Sequence, residues 1–424
     1  MKKVELLSPA GNLEKLKIAL NFGADAVYGG VSHFSLRIRS GKEFDYDTFK
    51  EGIDYAHSMG KKVYATVNGF PFNSQIELLK KHIIKIASLS PDAIIVATPG
   101  VVKLCRELAP QIPIHLSTQA NVMNYLDAQV YYDMGVRRII AAREISLKDV
   151  IEIKNKLPDL EIEIFVHGSM CFAYSGRCLI SAVQMGRVPN RGSCANDCRF
   201  EYELYVANKE HGTLFRIEEQ SDIGTYIFNA KDMNLASHID EILKSGAIDS
   251  LKIEGRTKSS YYAAVTAKAY RNAIDDYYEG KFDANSYQKE LHTTKNRGFT
   301  DAYLIHRPFE KNDAQNLEYA MSKGSYEVSG LVLEDGEHFL CKYKTYPNEK
   351  IEIFTPNNTI LPLCDNEIGK IEFIDGVYYI TFKQIITKEG KSLESVHSGN
   401  VNPIKLPCQL PYLTIFRVQA DEEL

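Results

Sequence analysis

The sequence has 424 residues, with 50 Lys and Arg against 55 Asp and Glu for a net charge of −5, 44% hydrophobic and 25% charged residues. That composition excludes a disordered or fibrous chain, and the length calls for two or three domains rather than one core. The slightly acidic balance leaves no global basic field, so any contact with nucleic acid needs a local patch.

Through the first 280 residues short β-rich runs alternate with amphipathic ones. Strands are predicted over residues 4–10, 26–30, 62–68, 93–98, 112–119, 138–143, 161–168 and 250–255. Helices are predicted over 12–22, 46–59, 75–88, 101–108, 125–134, 147–156, 239–244 and 261–278, with apolar residues three to four apart, as at Leu13, Leu16, Ile18, Ala19 and Leu20. Gly23, Gly60, Gly135 and Gly246 close helices as left-handed caps. Eight strands, each followed by a helix, predict an α/β fold, a (β/α)8 TIM-like barrel, over residues 1–285.

The rhythm breaks between Gly168 and Ile239, far too long for a βα loop, which predicts an insert over 169–230. It leaves the C-terminal end of the seventh strand, where active-site loops of such barrels sit. Beyond the barrel a helical linker is predicted over 286–325 and a small all-β barrel over 326–412. Its strands are expected at 327–333, 338–342, 350–354, 367–374 and 377–382, with turns at Glu334-Asp335-Gly336, Pro356-Asn357-Asn358 and Asp375-Gly376.

No run approaches the roughly 20 apolar residues of a membrane span, and Glu5 interrupts the N-terminal segment before a signal peptide can form, so a cytoplasmic protein is expected. Eight cysteines, half of them within 28 residues, point in a reducing compartment to metal or redox chemistry rather than to disulfides. Cys171, Cys178, Cys194 and Cys198 are spaced Cys-x6-Cys-x15-Cys-x3-Cys, a thiolate set for a [4Fe–4S] cluster or, as second choice, zinc; the CxxC pairs of a zinc ribbon are missing. Arg177, Arg187, Arg191 and Arg199 lie nearby to face a negative sulfur centre or an anionic substrate.

These residues carry a resemblance. The segments Glu5-Leu6-Leu7-Ser8-Pro9-Ala10-Gly11-Asn12, Phe165-Val166-His167-Gly168-Ser169-Met170-Cys171, Tyr174-Ser175-Gly176-Arg177-Cys178, Arg191-Gly192-Ser193-Cys194, Asn229-Ala230-Lys231-Asp232, Ser250-Leu251-Lys252-Ile253-Glu254-Gly255-Arg256 and Arg297-Gly298-Phe299-Thr300 resemble the bacterial collagenase-like peptidase family. The family name implies a protease. Its other branches imply iron–sulfur proteins that hydroxylate RNA bases, at a tRNA uridine or a ribosomal cytidine, or ubiquinone precursors, the tRNA branch with prephenate as a required metabolite. In those branches four cysteines hold a [4Fe–4S] cluster, and the four clustered here match them. Ser8 and Ser169 stand where the family more often has alanine.

Neither HExxH nor GxSxG is present, and a cysteine peptidase would have to pair Cys171 with His167, four residues away, at the cost of one ligand. Polar residues at the expected strand ends suggest instead a pocket for a small carboxylate such as prephenate: Asn68, Gln119, Arg143, His167, Glu254 and Arg256, with Glu144 beside Arg143 and Glu163 lining the barrel. Arg37, Arg39 and Lys42 follow the second strand and would extend the rim as a phosphate-binding surface. The expected partner is RNA, the alternative a protein or peptide substrate.

Overall fold

The computed structural model describes residues 3–31, 34, 44–171, 173–174, 177–187, 194–200, 202, 204–207, 210, 212, 214–217, 230–306, 314, 316, 324–357 and 359–420. Among the described residues no helix is long and apolar enough to cross a membrane. Arg37, Arg39, Lys42 and Arg191 lie outside the described residues.

Seven parallel strands pair in chain order: β1 (Glu5–Pro9), β2 (Ala26–Gly29), β3 (Lys62–Val67), β4 (Ala93–Val96), β5 (Ile114–Leu116), β6 (Arg138–Ile140) and β7 (Glu161–Ser169). The insert carries a hairpin, β8 (Leu204–Ala207) with β9 (Leu214–Ile217), and returns through β10 (Asp232–Asn234), which runs antiparallel along the end of β7. β11 (Ser250–Ile253) then pairs with both β7 and β1 and closes the ring. Helices α1 (Leu13–Asn21), α2 (Tyr46–Ser58), α3 (Ile76–Ser88), α4 (Pro99–Leu108), α5 (Tyr125–Asp133) and α6 (Leu147–Lys156) follow the first six strands; α7 (Ile180–Met185) lies in the insert, and α8 (Ile239–Lys244) and α9 (Ser260–Glu279) complete the outer ring. The expected eight-unit barrel is therefore present.

Local chemistry explains the helix starts. Asn12, Asn124, Ser146 and Ser259 each accept a backbone N–H at a first turn, and Asp45 and Thr48 form a reciprocal capping box. Two strands fall short of the sequence expectation by three residues or more. The one expected over 112–119 stops at Leu116, because Ser117 caps a 3-10 turn at Thr118–Ala120; the one expected over 138–143 stops at Ile140.

In the linker expected to be helical over 286–325, α10 (Ala284–Leu291) and Ala314 are helical among the described residues. Phe299–Thr300 instead forms β12, which adds to β10. Beyond it β13 (Tyr326–Val332), β14 (His338–Cys341), β15 (Lys350–Phe354), β16 (Cys364–Asp365), β17 (Gly369–Ile374) and β18 (Val377–Phe382) build an antiparallel sheet; β19 (Ile385–Ile386) pairs with β20 (Ser392–Leu393), and β21 (Ile404–Lys405) and β22 (Ile415–Gln419) return to the main sheet. Its order, β16-β17-β18-β15-β22-β13-β14-β21, makes a curled sheet over its own core of Phe339, Ile380, Phe382 and Phe416. The domain boundary expected at 412 falls short: β22 sits mid-sheet, between β15 and β13.

The two domains share an apolar seam in which Ile18, Phe22, Tyr261 and Val265 meet Leu331, Phe354, Leu413 and Ile415. Phe22 stacks on Phe354 with ring centres 5.4 Å apart. Arg417 pins the seam, bonding Glu290 of α10, Glu352 of β15 and, at 3.0 Å, the Tyr261 hydroxyl.

Candidate active site

The barrel interior is polar. Inward positions recur every second residue along a strand, and on this face stand Glu5, Tyr64, His115, Arg138, Glu163 and Lys252, all of them mostly or fully buried. Arg138 is the hub at the foot: its guanidinium bonds Glu5, reaches Glu161 at 2.8 Å and Glu163 at 3.1 Å. Tyr64 donates to Glu5 at 2.7 Å, and Lys252 donates to Glu163 at 2.8 Å. With Lys62 3.8 Å from Glu5, three cations face three carboxylates, so the buried charge is balanced. Burial pushes the Glu5 carboxyl up, but the Arg138 charge and hydrogen bonds outweigh it and hold the group below the ordinary carboxylate range.

One layer higher the strand ends form the mouth. Glu254 follows β11 and accepts from the Tyr28 hydroxyl at 3.1 Å, with Arg143 Nη2 3.9 Å away. The Arg143 guanidinium lies 4.0 Å from the centre of the Phe165 ring. Arg256 reaches across to β3, where its Nη1 donates to Thr66 Oγ1 at 3.0 Å. Asn68, two residues beyond Thr66 and so on the same face, is buried. Two guanidinium groups, facing the carboxylates of Glu254 and Glu144, offer the mouth's donors to an anion.

Two buried polar atoms there have no hydrogen-bond partner among the described residues. Gln119 accepts from Ser117 at 3.2 Å, but its Nε2 is unsatisfied, and so is Glu144 Oε2 beside Arg143. Burial raises the Glu144 carboxyl, with Arg143 pulling the other way. Buried donors and acceptors left unpaired are costly, which marks these two atoms as candidates for contact with a ligand or a water.

Glycine makes the mouth possible. At Gly168, with φ +110°, a Cβ would stand 2.4 Å from the Glu254 carbonyl oxygen; at Gly255, with φ +148°, it would stand 2.4 Å from the Tyr262 ring. These close approaches let the Glu254 N–H donate to His167 O at 2.8 Å and its carbonyl accept from Tyr262 at 2.6 Å, which fixes the Glu254 backbone.

His167 is not on this open rim. Tyr262, Tyr270 and Phe299 pack around its ring at 5.5 to 5.7 Å, and it pairs with Asn234 of β10. The Tyr270 hydroxyl donates to Val166 O at 2.7 Å and lies 3.3 Å from His167 Nδ1, which favours the tautomer protonated at Nδ1. Burial pushes the imidazole down to about 3, so the ring is neutral at physiological pH. The antiparallel return of the insert, invisible in a simple alternation of strands and helices, is what buries it.

None of the four clustered cysteines is in a disulfide; Cys171 and Cys194 are exposed, Cys178 and Cys198 half-buried. Cys171 follows closely on the end of β7, which brings that cysteine to the same end of the barrel as the mouth. Burial raises the Cys178 thiol, and the charges of Cys171 and Cys194 raise it further, which places these three sulfurs within electrostatic reach of one another. Ser181 of α7 accepts the Ala195 N–H at 3.1 Å and so ties the Cys194 segment to α7. Among the described residues no three His, Cys, Asp or Glu side chains stand close enough to share a single ion. Arg177 is exposed and Arg187 half-buried.

Sequence reasoning missed Tyr28, Thr66, Arg138 and Lys252. The available signal was a charged residue at an inward position of an apolar strand, as in Ser250-Leu251-Lys252-Ile253. A second concavity, about 440 Å³ between α9 and the C-terminal sheet, is lined by Lys268, Phe354 and Arg417. Its cations are already engaged, Arg417 by Glu290 and Glu352 and Lys268 by Thr355, so the mouth is the better candidate for chemistry.

The profile of Peptidase family U32 matches residues 11–314. The chain is 62% identical over 420 residues to the tRNA hydroxylation protein P of Helicobacter pylori (strain ATCC 700392 / 26695), covering 99% of this chain and 100% of that protein. It is 39% identical to the tRNA hydroxylation protein P of Escherichia coli (strain K12), over 85% of this chain and 88% of that one. A protein named Collagenase from Porphyromonas gingivalis (strain ATCC BAA-308 / W83) is 30% identical over 71% of this chain and 73% of its own length.

Proposed function

Because the chain belongs to peptidase family U32, we propose that it is an iron–sulfur enzyme taking part in the hydroxylation of an RNA base, a tRNA uridine, with a small carboxylate such as prephenate bound at the barrel mouth. The observation that carries this reading is the mouth itself: the guanidinium groups of Arg143 and Arg256, the carboxylates of Glu254 and Glu144 and the unsatisfied Gln119 Nε2 lie at the end of the barrel from which the cysteine-bearing continuation of β7 emerges.

The donor set fits a [4Fe–4S] cluster. Four cysteines, none of them in a disulfide, belong to one segment, and four thiolates are the ligand set of such a cluster. When bound by Cys171, Cys178, Cys194 and Cys198, such a cluster supplies one-electron chemistry. The remaining work belongs to the chain. Arg143 and Arg256 grip the carboxylate, Gln119 donates its free N–H to orient it, and Glu254, held by Tyr28, accepts or returns a proton at Oε2. His167 sets the β7–β11 register from behind rather than meeting substrate.

A peptidase reading takes its support from the relative named Collagenase. It needs Cys171 beside His167, and among the described residues no hydrogen bond joins them; the Nδ1 of His167 faces Tyr270.

The test is nucleoside mass spectrometry of tRNA and rRNA from a deletion strain, complemented in turn with the wild-type chain, Cys171→Ser and Arg256→Ala. The hydroxylated uridine is expected to vanish on deletion and return only with the wild-type chain. An unchanged nucleoside profile on deletion would overturn the reading.

A further inference from the structure

The C-terminal sheet ends in β16 on one side and β21 on the other, and among the described residues no ladder pairs the two. Side chains join them instead. Asn366, the residue after β16, donates from Nδ2 to the carbonyl oxygen of Pro407 at 2.7 Å, two residues beyond β21. That bond brings together Cys364 of β16 and Cys408, the residue after Pro407, and the Cys408 thiol hydrogen-bonds the Cys364 sulfur. Both side chains pack against the core of this domain. Cys364 lies opposite the buried Ile371 of β17, and Cys408 stands in sequence between the buried Leu406 and Leu410. Neither is in a disulfide and both are half-buried, so the pair touches the core on one side and solvent on the other. Burial, and then the hydrogen bond and charge of Cys364, push the Cys408 thiol up to about 12. Cys408 therefore keeps its proton and donates it, which leaves Cys364 as the sulfur to react first.

We propose that Cys364 and Cys408 are a reversible dithiol–disulfide site, oxidised by a low-molecular-weight disulfide, whose bond ties the two ends of the C-terminal sheet together. The Cys364 thiolate attacks one sulfur of the reagent: an S–S bond forms to Cys364, the reagent's own S–S bond breaks, and one thiolate leaves with the electron pair. Cys408 then attacks the Cys364 sulfur and expels the second thiolate, which takes up the Cys408 proton. The two protein thiols lose two electrons, the reagent gains them, and the two protein protons end on the two thiols released. The ring so closed spans residues 364–408 and takes in β17 and β18. Arg417, Glu290 and Glu352, which hold the seam to the barrel, lie outside it, so oxidation stiffens the sheet without touching the barrel mouth.

The test treats the anaerobically purified full chain with oxidised glutathione, blocks the remaining thiols with iodoacetamide and maps the peptides by mass. The peptides that carry Cys364 and Cys408 are expected as one linked species, two hydrogens lighter than the separate pair and released by dithiothreitol. Cys408→Ser should stop at a glutathione adduct on Cys364, whereas Cys364→Ser should leave Cys408 at least about tenfold less modified. The oxidised chain should melt about 5 °C above the reduced one, a gap that Cys408→Ser removes. Recovery of both sulfurs as alkylated thiols, which is what mere core packing predicts, overturns the proposal. So does a bond from either sulfur to another cysteine, or equal modification of Cys408 in Cys364→Ser.

Discussion

The barrel foot and the cysteine-rich insert both gather groups that would rather be in water, and they treat them in opposite ways. At the foot every charge has found its opposite: Arg138 alone serves Glu5, Glu161 and Glu163. In the insert the four clustered cysteines form no disulfide, and Cys171 and Cys194 remain exposed. A group already paired inside the fold can stabilise it but has little left to offer a ligand, whereas an unpaired one costs stability and is available for binding. The mouth lies between these extremes, with Glu254 partly engaged and Gln119 unsatisfied.

The contrast is broken most sharply at Arg138. Arg138→Met would remove the cation that Glu5, Glu161 and Glu163 share and is expected to destabilise the barrel by about 3–5 kcal/mol in urea unfolding. Cys194→Ser should shift the same unfolding curve by less than about 0.5 kcal/mol while abolishing the visible sulfur-to-iron absorbance of anaerobically purified protein. Equal losses of stability from the two changes would show that insert and barrel are one cooperative unit.

A smaller effect sharpens the difference through pH. The imidazole of His167 is pushed down to about 3 by burial, whereas an unfolded histidine titrates near 6.5. Between those values the unfolded chain binds a proton that the folded chain refuses. The stabilising contribution is therefore complete above pH 6.5 and drains away as pH falls towards 3, at up to about 1.4 kcal/mol per pH unit. His115, buried beside Arg138 and shifted the same way, adds to the slope. His167→Gln should reduce the slope between pH 6.5 and 5 by up to one proton; an unaltered slope would show that the ring is not what the acid attacks. The insert, whose thiols are exposed or half-buried, should contribute little to this limb.

The smallest effect is expected at Ser181, whose hydroxyl accepts the Ala195 N–H beside Cys194. Ser181→Ala should cost about 1 kcal/mol locally and leave the barrel melting temperature in place, yet speed the bleaching of the cluster in air. Bleaching at the wild-type rate would mean that α7 does not hold the Cys194 segment.

The barrel was legible because its outward strand faces are apolar and its helices end at glycines, both local signals. The cysteine set stands out in the sequence by its spacing, and the structure shows those cysteines without a disulfide. Three features were not. Lys252 and Arg138 hide in apolar strands because their partners, Glu163 and Glu5, lie far away in sequence, and only ring closure brings them together. His167 reads as a strand-end residue until β10 folds back over it. The strand β22 was overlooked because Arg417 interrupts Ile415-Phe416-Arg417-Val418, and that arginine makes sense only against Glu290 and Glu352.

The place of β22 in the C-terminal sheet also sets an order of events during synthesis. It is the last strand of the sheet to leave the ribosome, yet it lies between β15 and β13 and bonds to both. The barrel strands are complete by Ile253, so the barrel can close while the second domain is still being made. The sheet cannot. Until residues 415–419 emerge, β13 and β15 each expose an unpaired edge with no neighbour to fill the gap. The nascent domain must wait, half-formed, against a finished barrel, and its final strand acts as a keystone that locks the sheet and the Arg417 seam in one step.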